Sequence, residues 1–138
     1  MADRLAPARS YWLGTVSGDG TPHVAPVWGV VVGDALYLYS ERSTVKAANL
    51  ARDRRAVVHL ESAEDVVIVH GLLEDQGTPR DRPDVVRALE AKYHRLEDQR
   101  YLPSHNDEFD VVYRLRPVKA LLWDLADYEG SQRRWTTG

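Results

Sequence analysis

The chain has 138 residues, 18 lysines and arginines against 21 acids, a net charge of −3 and a pI near 5.9, a length that fits one domain, residues 1–138, with a real core. Arginines dispersed among nearly as many acids argue against nucleic-acid and membrane-surface partners, and the absence of cysteine excludes disulfides, thiolate metal sites and thiol nucleophiles. The opening MADRLAPARS carries no secretory apolar run and VWGVVV is too short to span a bilayer, so the expectation is a soluble cytoplasmic protein.

Tyr11 to Ser17 alternates with β-branched and aromatic residues, and SGDGTP after it supplies turn chemistry, predicting a strand and a hairpin. His23 to Val32 is expected to be a second strand in which Pro26, unable to donate a ladder bond, marks an edge, bulge or kink. After a turn at Gly33 and Asp34, Ala35 to Ser40 is a third strand with Leu36 and Leu38 on one face and Tyr37 and Tyr39 on the other. Ser43 or Thr44 caps a helix from about Thr44 to Arg52 with an apolar stripe of Ala47, Leu50 and Ala51. Arg55–Glu61 and Val66–Glu74 are apolar enough for central strands. A polar loop leads to a second helix, about Asp84 to Arg95, with Val85, Leu89 and Tyr93 on one face, and a loop containing Pro103 follows. Two last strands, Asp110–Arg116 and Val118–Trp123, are separated at Pro117. Six or seven short strands with two inserted helices predict a mainly β protein, a small antiparallel barrel.

Lysine occurs only at Lys46, Lys92 and Lys119. One of the three stands at a helix start, in YSERSTVKAANL, where unpaired amides and the positive end of the helix dipole favour an anion. Ser43, Thr44, Arg42 and Lys46 would join them, with Asn49 on the same face as Lys46; a capped surface helix with solvated charges is the plainer alternative. PHVAPVW offers backbone groups freed by Pro26 to a planar heteroaromatic ring, or is simply an edge strand. His23, His59, His70, His94 and His105 form no metal-ligand spacing, so no metal is expected. No hydrolase, kinase or dinucleotide motif is present, and no catalytic side chain can be named. The tail, with Arg133, Arg134 and Trp135, is aromatic enough to dock on its own barrel, a second subunit or a ligand.

Taken together, GTVSGDGTPHVAPVWGVVVGDALYLYSERSTVKAANLARDRRAVVHLES, then VVIVHG and a closing SQRRW, resembles the pyridoxamine 5'-phosphate oxidase-like split-barrel family, most of all its branch using the deazaflavin F420. The resemblance runs from about Tyr11 to Trp135. It implies an FMN-binding-type antiparallel split β-barrel, a homodimer, with F420, or alternatively FMN, in grooves at the subunit interface. By the same resemblance Lys46 meets the cofactor phosphate beside Tyr39, Ser40, Arg42 and Ser43, and Asn49 supports the helix start. Pro26, Val27 and Trp28 run along the ring system, and Arg134 and Trp135 close over cofactor or substrate. The implied activity is hydride transfer to a small organic acceptor. The segment before the first strand is shorter than the helix usual in the family, leaving one barrel end more open. A non-catalytic tetrapyrrole carrier, with His59 or His70 as a haem ligand, and a cofactor-free structural dimer are the other readings.

Overall fold

The computed structural model describes residues 1–137. Among them one antiparallel sheet contains eight strands: β1 Tyr11–Val16, β2 Pro22–Val27, β3 Gly29–Val32, β4 Ala35–Ser40, β5 Arg55–His59, β6 Asp65–Asp75, β7 Val111–Asp124 and β8 Arg133–Thr136. Their order is β2-β1-β5-β6-β7-β4-β3, with β8 paired to β7. The two outermost strands of that path, β2 and β3, are consecutive in the chain with only Trp28 between them. The covalent chain therefore curls the sheet and draws its edges together, and the result is a split antiparallel barrel. Four helices are inserted: α1 Ala2–Leu5, α2 Val45–Arg52, α3 Pro83–Lys92 and α4 Tyr128–Ser131.

The expected single strand from His23 to Val32 is thus two strands on opposite edges. The break is held by its neighbours: the Gly29 N–H donates to the Tyr93 hydroxyl (3.1 Å), and the Gly29 carbonyl accepts from Lys92 Nζ (2.8 Å) and from Tyr93 Oη (3.0 Å). Gly29 also lies so close to β4 that a Cβ would sit 2.6 Å from Leu38 Cδ2 and from the Tyr37 carbonyl oxygen. Conversely, the two strands expected around Pro117 are one, β7. Gly71 of β6 faces Pro117 while His70 faces Lys119, so Val118 is an extra residue accommodated by a bulge. The bulge absorbs the missing proline N–H without ending the strand, and the carbonyl of Val118 accepts from Thr137 N–H (2.9 Å).

Leu36 and Leu38 point into the barrel with Tyr11, Leu13, Val58, Val69 and Leu115. Tyr37 and Tyr39 point outward, as the alternation predicts, but are buried because α3 covers them with Val85, Leu89 and Tyr93. That helix stops at Lys92, short of the expected Arg95. Tyr93 leaves helical geometry (φ −102°, ψ 66°) to reach Trp28 and Gly29, and Leu96–Tyr101 forms a 3-10 turn where a plain loop was expected. On α2, Thr44 is the cap, accepting from the Ala47 N–H (3.4 Å). The expected stripe is corrected at one position: Ala51 is exposed and Asn49, 2 % exposed, takes the inward place. The short α1 still plugs its end of the barrel, because Leu5 joins the core and its carbonyl accepts from Tyr11 Oη (2.7 Å).

The bulge gives a test. A Cβ on Gly71 would lie 2.4 Å from the Arg116 carbonyl oxygen and 3.1 Å from Pro117 Cα, all backbone that cannot swing aside. Gly71→Ala is expected to destabilise by about 1–3 kcal/mol or more, measured as a lowered urea midpoint. Gly14→Ala, whose Cβ would meet its neighbours at an ordinary 3.7 Å, should cost far less.

Candidate functional site

Where β2 breaks to β3, a groove of about 470 Å³ opens between the Pro26-Val27-Trp28 backbone, the end of β4 and the start of α2. Pro26, Val27, Trp28, Tyr39, Ser40, Thr44 and Lys46, seven residues singled out from sequence, line it together. Its volume is in the range of small-molecule sites. One wall is aromatic. Trp28 stacks on Tyr93 with ring centroids 4.3 Å apart and planes 3° from parallel, Tyr101 stands edge-on to Trp28 at 5.7 Å, and Phe109 is edge-on to Tyr39 at 5.0 Å. The Arg9 guanidinium lies 4.9 Å from the Trp28 ring centre and pairs with buried Asp98, whose carboxyl it holds below the usual carboxylate range.

The opposite wall is polar. Lys46 has no hydrogen bond or ion pair among the described residues, and burial lowers its pKa from the ordinary lysine value, with Glu41 partly opposing. A half-buried amine without a partner is a group prepared for an anion. The first-turn amides of Val45 and Lys46 are likewise without a protein acceptor among the described residues. Thr44 Oγ1 is 3.2 Å from Ser40 Oγ and donates to the Glu41 carbonyl (2.7 Å), which fixes the hydroxyl pair at the groove floor. Tyr39 Oη is spent, donating to the Tyr101 carbonyl (2.6 Å), and burial raises its pKa.

The other sequence-predicted site residues lie elsewhere. Arg42 turns away to bond Asp75 with two nitrogens (2.8 and 3.2 Å). Ser43 is exposed. Asn49 is inside, donating to Thr15 Oγ1 (3.1 Å) and accepting from Arg52 (3.0 Å), so it fastens α2 to β1. Arg134 and Trp135 of β8 pair with Leu121 and Ala120 of β7, and Trp135 lines a different cavity with Met1, Asp34 and Pro117. Within one chain the tail docks on its own barrel and does not reach the Lys46 groove. Ser10, Glu41, Tyr101 and Phe109 also line the groove and were not singled out. Tyr101 and Phe109 come from the irregular stretch after α3, where no periodicity marks an inward residue.

The family profile described as Pyridoxamine 5'-phosphate oxidase matches residues 1–124. The chain belongs to the pyridoxamine 5'-phosphate oxidase family. Among solved structures, a conserved hypothetical protein of Mycobacterium tuberculosis superposes on this member with a TM-score of 0.74 at 23% identity, covering 99% of this chain and 89% of that one. An F420 reductase superposes at 0.66 with 23% identity, over 86% of this chain and 94% of that one. A heme binding protein from Mycobacterium smegmatis gives 0.71 at 22%, over 94% of this chain and 53% of that one. These likenesses establish the shared fold. No curated protein matches the sequence.

This family member holds its groove in place with Lys92, the second of its three lysines. Lys92 Nζ donates to Tyr11 Oη (2.9 Å) and to Gly29, and burial, aided by Arg9, lowers its pKa to about 8. The unfolded chain then binds more protons than the folded one above about pH 8, so stability rises with pH from there towards 10. Above that, Tyr11 and Tyr93, whose pKa values burial raises, reverse the sign. Both acceptors keep another partner, Tyr11 with Leu5 and Gly29 with Tyr93. Lys92→Met is therefore expected to fold and to lose the rise between pH 8 and 10 in urea midpoints; an unchanged slope would assign the effect to another group.

Proposed function

We propose that this protein is an oxidoreductase that binds F420 in the Lys46 groove and acts as a homodimer in the cytoplasm. The observation that carries the reading is Lys46: a half-buried ammonium at a helix start with two first-turn amides, all three without a protein partner among the described residues, beside an aromatic and backbone wall. A phosphate suits the first end, and a planar ring suits the second. Lys46, Ser40 and the first-turn amides of Val45 and Lys46 would hold the phosphate, and the backbone from Pro26 to Trp28 would run along the ring. The bound deazaflavin supplies the hydride, and the protein supplies binding and orientation. Arg42, Ser43, Asn49, Arg134 and Trp135 stand outside the groove of a single chain, so any part the tail plays over the cofactor is assigned to the partner subunit. FMN also carries a phosphate that Lys46 could meet and is the alternative occupant.

The dimer rests on an uncovered apolar face. Val24, 58 % exposed, Val57, Leu72 and Val118 surround a depression of about 650 Å³ on the outside of the β1, β2, β5, β6 sheet, a surface of the kind a second copy covers. Sedimentation at micromolar concentration is expected to give a dimer; a stable monomer with undiminished cofactor affinity would place the whole site within one subunit.

A second reading has its own observation. His23 and His70 both line that depression, and His23 Nδ1 is buried without a partner among the described residues, which suits a tetrapyrrole carrier on the same fold. Haem titration followed by absorbance, repeated with His70→Ala, tests it.

The decisive titration uses F420 and FMN with wild type, Lys46→Ala and the exposed control Arg87→Ala at fixed ionic strength. Loss of one charge-assisted hydrogen bond, about 1.5–3 kcal/mol, predicts affinity roughly ten- to a hundredfold weaker in Lys46→Ala alone, with thermal unfolding unchanged. Equal affinity in all three proteins would end the phosphate assignment, and tight FMN binding without F420 binding would exchange the cofactor.

A further inference from the structure

On the other face of α2 is a second cavity, of about 600 Å³, that shares no lining residue with the Lys46 groove. Its floor is apolar, from Ala47 and Leu50 of α2 and Leu73 of β6, all buried. Its rim carries three guanidinium groups, Arg42, Arg52 and Arg54, against one carboxylate, Asp75.

The charges are not equivalent. Asp75 is fully engaged, since both oxygens accept from Arg42 and one also accepts from the Gly77 N–H (2.8 Å). Arg42 keeps it ionised by holding its pKa below the ordinary value. This pair cancels. Arg52 gives one nitrogen to Asn49 (3.0 Å) and retains its charge. Arg54 has no side-chain hydrogen bond or ion pair among the described residues. Two positive charges therefore remain over an apolar floor.

Tyr113 is the independent observation. It belongs to the barrel core and is only 5 % exposed, yet it lines this cavity, and its hydroxyl makes no hydrogen bond among the described residues. The ring is buried while the hydroxyl stays open to solvent at the cavity, where a ligand can reach it. Here the unpartnered donor faces a space bordered by uncompensated arginines.

We propose that this cavity is a second, separate ligand site that takes a small organic acid, its carboxylate or phosphate head bonded by Arg54, Arg52 and the Tyr113 hydroxyl and its apolar body resting on Leu50 and Leu73. The arginine fork suits either head group, and the floor discriminates an organic acid from a bare inorganic ion. The site does not depend on the nature of the groove's occupant.

Benzoate, phenyl phosphate and inorganic phosphate are the probes, titrated against the isotope-labelled full chain by NMR, with wild type, Arg54→Ala, Tyr113→Phe and Lys46→Ala compared. Arg54 is exposed and Tyr113→Phe keeps the ring in the core, so unfolding temperatures without ligand are expected to stay close to wild type and to verify folding. Benzoate or phenyl phosphate is expected to shift residues of α2 and β7, with affinity about tenfold or more weaker in Arg54→Ala, several-fold weaker in Tyr113→Phe and unchanged in Lys46→Ala. Which of the two binds identifies the head group. No shifts at millimolar probe, equal affinity across all four proteins, loss in Lys46→Ala alone, or inorganic phosphate binding as tightly as the organic acids would each overturn the proposal.

Discussion

The molecule depends on the clamp at Gly29. The sheet's two edge strands are joined through Trp28, so the barrel stays curled only if the chain can leave one edge and enter the other within one residue. Glycine permits the approach to β4, and Tyr93 and Lys92 satisfy the backbone groups that the break exposes. An unpaired buried amide and carbonyl would cost several kilocalories together, so the end of α3 is the support without which that junction is unfavourable. The same contacts produce the groove: stacking on Tyr93 fixes the Trp28 ring, and the backbone leading to it forms one wall.

The other wall is set by α2, and its anchor is polar. Asn49 and Thr15 bond to each other in a buried position, which fixes the rotation of an eight-residue helix whose own apolar stripe is narrow. With Asn49 inward, Lys46 one turn earlier is directed to the groove mouth, and Ala47 and Leu50 floor the cavity behind. One helix orientation thus divides the positive charge. Lys46 remains unpaired on one side, while Arg42 is neutralised by Asp75 and Arg52 and Arg54 stay available on the other. The burial that lowers the Lys46 pKa is the same desolvation that an incoming anion would offset.

Much of the groove was legible in the chain. Lys46 stood out because lysine is rare here and helix starts attract anions, and Pro26 pointed to irregular backbone because proline cannot complete a ladder. Both inferences are local. Arg42 and Ser43 were grouped with Lys46 by adjacency, but a helix start presents successive side chains about 100° apart, so neighbours in sequence diverge in space; Asn49, grouped by its spacing of three, lies one turn on, where the same face meets Thr15 of β1. Arg42 found Asp75, 33 residues on. Tyr101 and Phe109 entered the groove from a stretch with no period to read.

By itself the sequence determined the strand and helix alternation, the hairpin turns, a helix cap at Ser43 or Thr44 and the faces of β4 and α3, because these follow from side-chain period and local backbone preference. It also determined family membership, through a pattern spread over most of the chain. Only the tertiary structure decided that His23–Val32 is two strands, that Pro117 lies within one strand, and that the tail pairs with β7 away from the groove. Each of those outcomes turns on a partner distant in sequence: Tyr93 for Gly29, Gly71 for Pro117 and Ala120 for Trp135. Such long-range pairings carry no periodic signal along the chain and are fixed only when buried backbone groups and ring faces must all find partners at once.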